Sequence, residues 1–123
     1  MTKLLAIDYG QHKIGLAVAD TDIKIALPLE VVKLAKLATR IRELIVSDEV
    51  KKIVVGLPLG LNGQETAQTA AVRKFVTDLK SKVNVEIVTE DERLTSVQAS
   101  RVKKDDAVAA MYILQSYLDK NYG

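Results

Sequence analysis

The chain has 123 residues, with 18 basic and 16 acidic side chains and a formal net charge of +2. That length suits one domain with one core, expected over residues 1–123, and the charge is too balanced to announce a nucleic-acid binder by bulk alone. Cysteine is absent and His12 is the single histidine, which excludes disulfides, thiolate metal sites and a histidine-rich zinc centre. Any metal must be held mostly by oxygen, which favours magnesium or manganese. No apolar run is long enough to cross a membrane and no signal-peptide pattern opens the chain, so a cytoplasmic location without a membrane partner is expected.

The first predicted strand, about 3–9, contains Leu4-Leu5-Ala6-Ile7-Asp8 and is apolar on both alternating faces, as a central strand is. A second strand, about 14–20, follows the turn Gly10-Gln11-His12-Lys13, with Gly10 expected at an unusual backbone angle. A third is expected at about 23–32, where Pro28 marks an edge strand or a bulge. Leu34, Leu37, Ile41, Leu44 and Ile45 form one stripe at helical spacing and predict a helix over about 34–47. A short buried strand at 52–56 leads into a loop rich in breakers, 57–63, and a second helix at about 64–81. A fifth strand covers about 85–90, a short helix starts within 91–96, and a last helix covers about 105–120. Short hairpins imply antiparallel pairing of the first three strands, and helical crossovers imply parallel pairing of the last two. The expected fold is therefore α/β, a five-stranded mixed sheet with helices on both faces and a ligand edge where strand ends and helix starts gather.

Asp8 at the end of a buried strand is costly unless a hydrogen bond, a basic side chain or a cation compensates it. Further acids end the fifth strand, Glu90-Asp91-Glu92, and begin the last helix, Asp105-Asp106. If the first strand is central, the three groups can meet at one edge. Two divalent ions about 4 Å apart, held by such carboxylates, would suit phosphodiester cleavage. In the last helix Asp106 lies at the edge of the inward stripe, one turn before Ala110, while Asp105 points away and reads as a cap. Residues 90 and 92 share a face of a strand, so spacing alone leaves the choice between them open.

Four motifs in order then resemble one family. Ile7-Asp8-Tyr9-Gly10 with Ile14-Gly15-Leu16-Ala17-Val18-Ala19-Asp20 is similar to the opening of the YqgF/RuvX family. So are Val54-Val55-Gly56-Leu57-Pro58-Leu59 with Asn62-Gly63, Asp91-Glu92-Arg93-Leu94-Thr95-Ser96, and Asp106-Ala107-Val108-Ala109-Ala110 with Leu114-Gln115-Ser116-Tyr117-Leu118-Asp119. The resemblance implies an RNase H-like fold and a metal-dependent nuclease that matures the 5′ end of pre-16S rRNA. It implies Asp8, Glu92 and Asp106 as catalytic residues and as ligands of two Mg²⁺ or Mn²⁺ ions. Nucleic acid is the implied partner, pre-rRNA ahead of branched DNA, with the chain a monomer or weak dimer. The alternatives are a Holliday-junction resolvase-like DNA endonuclease and a non-catalytic nucleic-acid-binding factor of ribosome assembly. An ATPase of the actin and sugar-kinase type, which closes two such domains over its nucleotide, is disfavoured by the chain's length. The family's longer basic segment before the last helix is reduced here to Ser100-Arg101-Val102-Lys103-Lys104, Gly60 replaces a frequent polar residue, and the turn Gln11-His12-Lys13 is less basic than usual.

Substrate contacts are expected from Lys13, Arg73, Arg93, Lys103 and Lys104, each able to meet a backbone phosphate. Each also has a plainer reading: a solvated side chain, or for Arg93 an ion pair with Asp91 or Asp20. The Gly56–Gly63 loop before a helix can be read as a phosphate cradle or as simple turn chemistry.

Overall fold

The computed structural model describes residues 2–60, 62–92 and 106–123. The short helix expected from 91–96, together with Arg93, Asp105 and the basic residues Arg101, Lys103 and Lys104, lies outside the described residues. In chain order the elements are β1 (Lys3–Asp8), β2 (Lys13–Asp20), β3 (Leu27–Lys33), α1 (Leu34–Ser47), β4 (Val50–Leu57), α2 (Ala67–Lys80), β5 (Glu86–Asp91) and α3 (Asp106–Asn121). The five strands form one sheet in the order β3-β2-β1-β4-β5. β1–β2 and β2–β3 pair antiparallel, and β1–β4 and β4–β5 pair parallel, so β1 is central as its two apolar faces require. This is the RNase H-like topology expected from the sequence.

Alternation along the strands sorts the core into two layers. Leu5 and Ile7 of β1, Ile14 and Leu16 of β2, and Ile53 and Val55 of β4 face α1 and α2, meeting Leu37, Ile41, Leu44, Val72, Val76 and Leu79. Leu4 and Ala6 of β1, Ala17 and Ala19 of β2, and Val54 of β4 face α3, meeting Ala110, Ile113, Leu114, Tyr117 and Leu118. The strand side of this second layer is mostly small. That lets α3 lie close against the sheet.

α3 is also fastened by polar contacts. Glu90 of β5 is buried, and its carboxylate accepts from Ser116 Oγ at 2.9 Å and Lys120 Nζ at 2.7 Å. Lys52 Nζ donates to the Tyr117 hydroxyl at 2.9 Å and lies 5.5 Å from the centre of that ring. Gln115 holds the segment before β3, accepting from the Ala26 N–H at 2.9 Å and donating to the Lys24 carbonyl at 3.1 Å.

Three local expectations change. β3 begins at Leu27 rather than near 23, because residues 23–26 follow the turn and are tied to Gln115 instead of to a strand. Its register with β2 shifts between Leu16 and Ala17, opposite Pro28 and Glu30, so the proline sits at both an edge and a bulge. α2 begins at Ala67 because Thr66 and Thr69 form a reciprocal capping box there. Gly10 does not adopt positive φ; among the described glycines that is Gly63, at φ 79°. What Gly10 provides is clearance, since a Cβ there would lie 2.5 Å from the Lys13 carbonyl oxygen across the turn. That turn also serves α1, whose first N–H, on Leu34, donates to the His12 carbonyl at 3.1 Å.

Candidate active site

The acids gather at the carboxyl end of β1. Asp8 is the last residue of that strand and shares the α3 face with Leu4 and Ala6. Its partner across the ladder is Gly15 of β2. A Cβ on Gly15 would stand 1.8 Å from the backbone oxygen of Asp106, so only glycine admits the first turn of α3 at this point. Asp106, the opening residue of α3, is thereby seated over β2 at Gly15, the residue paired with Asp8. An acid at this helix end is also favoured by the exposed N–H groups of the first turn.

Glu92 arrives from the other side of β1. β5 runs parallel to β4 with Leu57 opposite Asp91, and the Glu92 N–H reaches the Leu57 carbonyl at 3.3 Å. The Glu92 carboxylate then lies over Gly56, where a Cβ would be 2.5 Å from Oε2 and 2.5 Å from Ile113 Cδ1. Burial first, and then the nearby carboxylates of Asp8 and Asp91, push the Glu92 carboxyl up to about 7. Asp8 and Glu92, from strands on opposite sides of β4, are therefore electrostatic neighbours. Glu90, the other candidate from spacing, shares that face but is occupied with Ser116 and Lys120 at the far end of α3. Geometry thus separates two acids that alternation could not.

The donor set is all oxygen, in keeping with a chain without cysteine whose one histidine, His12, is exposed on the first turn. Among the described residues, no three His, Asp or Glu side chains already stand close enough to hold one ion. Asp8 and Glu92 adjoin through their side chains, while Asp106 is brought in through its backbone. Mutual repulsion of the kind that raises Glu92 is relieved by a bound dication, so the residues present suit such an ion.

The expected basic contacts divide. Lys13 is exposed at the start of β2, beside the turn that follows Asp8. Arg73 faces outward from α2 and pairs with Glu65 at 2.8 Å, both about half exposed. Arg93, Lys103 and Lys104 lie outside the described residues. In the Gly56–Gly63 loop, the Gly60 N–H donates to the Gln64 carbonyl and the Gly63 N–H to the Gly60 carbonyl, each at 2.8 Å. The Thr69 hydroxyl donates to the Pro58 carbonyl. Two glycine amides are consumed internally, which favours the turn reading over a phosphate cradle. Sequence reasoning overlooked the role of Gly15 and Gly56 as clearances for the acids. The available signal was a glycine inside each of two otherwise apolar strands, a mark of close approach.

Comparison with known proteins identifies the kin of this chain. Residues 2–120 match the RuvX family, described as Holliday junction resolvase. A protein of Endomicrobium trichonymphae named "Putative pre-16S rRNA nuclease" is 40% identical over 136 aligned positions, covering 97% of this chain and 96% of that protein. A Sulfurihydrogenibium protein of the same name is 37% identical, covering 98% and 92%. Since 136 positions exceed the 123 residues here, the Endomicrobium protein carries residues that this chain lacks. Among solved structures, Thermus thermophilus RuvC in complex with Holliday junction substrate superposes with a TM-score of 0.61 at 16% identity, covering 100% of this chain and 97% of that one. Fowlpox virus resolvase with its junction DNA gives 0.58 at 9% identity, covering 97% and 98%. These two likenesses establish the fold, and the match over nearly the whole sequence establishes the kinship: the chain belongs to the RuvX family.

Proposed function

We propose that this protein is a metal-dependent nuclease that hydrolyses phosphodiester bonds in processing the 5′ end of pre-16S rRNA, acting in the cytoplasm. The observation that carries the reading is the meeting of acids from distant parts of the chain. Asp8 and Glu92 are close enough to perturb each other, and the α3 turn opened by Asp106 sits across from Asp8 through a contact only glycine permits. The names of the relatives support the substrate.

Asp8, Glu92 and Asp106 would hold Mg²⁺ or Mn²⁺, two ions in the arrangement we favour, after side-chain movement completes the shared cage. When bound, such ions supply activation of a water nucleophile and charge stabilisation at the departing 3′-oxygen. Asp8 anchors the cluster because the buried central strand fixes its backbone. The Glu92 carboxylate and the Ile113 side chain both lie over Gly56, in space that a larger residue there would fill. Lys13, exposed next to this edge, would meet a substrate phosphate, and Arg93, Lys103 and Lys104 would share that role as the family resemblance implies. Arg73 would first have to leave Glu65.

The family description favours a second reading, cleavage of a four-way DNA junction. A labelled precursor 16S rRNA and a labelled junction, each with Mn²⁺ and with EDTA, separate the two. We expect RNA cleavage that needs Mn²⁺ and falls on the order of 10³-fold in Asp8→Asn, with circular dichroism unchanged. Full activity in that variant overturns the role of the acids, and cleavage of the junction alone overturns the choice of RNA.

A further inference from the structure

The face of the sheet away from the acids carries an opening of its own. A cleft of about 390 Å³ lies between α1 and α2, floored by Leu37, Ile41 and Leu79 and flanked by Leu34. At one end Tyr9 and Phe75 are stacked, with ring centres 4.4 Å apart and planes at 28°, and both rings are half-buried. Lys74 and Lys82 stand exposed on the rim, with Asp78 between them on α2. Among the described residues neither lysine is held in an ion pair. Tyr9 directly follows Asp8, so the aromatic end of the cleft begins one residue from the acid cluster, on the opposite side of the sheet.

We propose that this cleft receives an unpaired nucleobase of the RNA strand, from a nucleotide neighbouring the phosphate that lies at Asp8. This rests on the nuclease reading and adds to it a requirement for a single-stranded segment beside the cut. Three observations select that occupant. Aromatic rings half open to a cavity provide a stacking surface that any base can use. Two free lysines at the mouth match the phosphates on either side of an inserted base. The volume, near the low end for ligand pockets, admits one planar ring system rather than a helix of a partner protein. The strand would pass from Asp8 over the Tyr9 edge and turn its next base inward. Tyr9 and Phe75 thus act in positioning and selection, separate from the acids.

The test is a set of synthetic RNAs spanning the 5′ end of 16S rRNA, each with one abasic nucleotide stepped along the strand on both sides of the cut. Binding is read by fluorescence anisotropy in EDTA and cleavage is read in Mn²⁺. One position should cost about tenfold when its base is removed, and Phe75→Leu should erase that dependence on position. Ala71→Met narrows the cleft from an exposed position on α2 without touching the core, and should have the same effect with circular dichroism unchanged. Asp8→Asn should keep the positional pattern in binding while losing cleavage, so the two readings fail separately. A flat abasic scan, or a pattern that survives both cleft variants, overturns the assignment. Failure of every RNA in the set to bind or be cut overturns both readings.

Discussion

The two faces of the sheet are packed in different ways. Toward α1 and α2 the strands present Leu, Ile and Val, and the helices stand off far enough to leave a cleft between them. Toward α3 they present Ala6, Gly15, Ala17, Ala19 and Gly56, and the helix comes down to backbone contact. Bulk sets a wide separation and tolerates adjustment, because side chains can shift. Smallness brings backbones together and leaves no slack. The acids lie on the second face, where the position of one strand end relative to one helix start is fixed most tightly. The proposed sharing of ions by these acids would gain most from that fixity.

The largest stability effect that can break this comparison is expected at Gly15. In Gly15→Ala the new methyl meets the Asp106 carbonyl, which belongs to a helix backbone and cannot rotate aside. We expect a loss of about 3 kcal/mol, at the upper end for an overpacked site, and loss of cleavage as Asp106 is displaced. Urea denaturation gives the first quantity, and unchanged stability would show that α3 is not held as closely as described.

A smaller effect is expected at the other end of the helix. Lys120→Met leaves the buried Glu90 carboxylate with Ser116 as its one remaining side-chain donor among the described residues. Because Lys120 is itself about half exposed, we expect a cost of about 2 kcal/mol rather than the larger loss of a fully buried pair. Equal stability of the variant and the parent in urea would show that this pair does not fasten α3.

The smallest effect concerns Glu92 and sharpens the electrostatic side of the comparison. Its folded value of about 7 lies above the ordinary 4.5, so the folded state binds the proton more tightly than the unfolded chain. The stability this confers is complete below about pH 4.5 and is lost as pH rises through about 7. In EDTA, Glu92→Gln should therefore exceed the parent in stability above pH 7, by roughly 1–2 kcal/mol, and lose that advantage below pH 4.5. Parallel stability profiles across that range would show that Glu92 is not crowded by Asp8 and Asp91.

Much of this was legible in the chain. The double-faced apolar run ending in Asp8 announced the central strand, because only a strand covered on both sides needs Leu4, Leu5, Ala6 and Ile7 together. The stripe of α1 and the edge role of Pro28 follow from local periodicity and backbone chemistry, which neighbouring residues carry by themselves. The order of hairpins and crossovers also fixed the sheet as mixed, since connection length limits how strands can pair.

Tertiary structure alone decided the rest. Glu90 and Glu92 share a strand face and a chemistry, and what separates them is that Lys120 lies opposite one and Asp8 beside the other, contacts made across the fold. Gly15 and Gly56 look like weak points in two strands until α3 and Glu92 come to rest against them. Sequence specifies which side of each element faces inward, because that depends on residues a few positions apart. Which inward-facing groups meet depends on how whole elements pack, and that is settled by the shape of the assembled core.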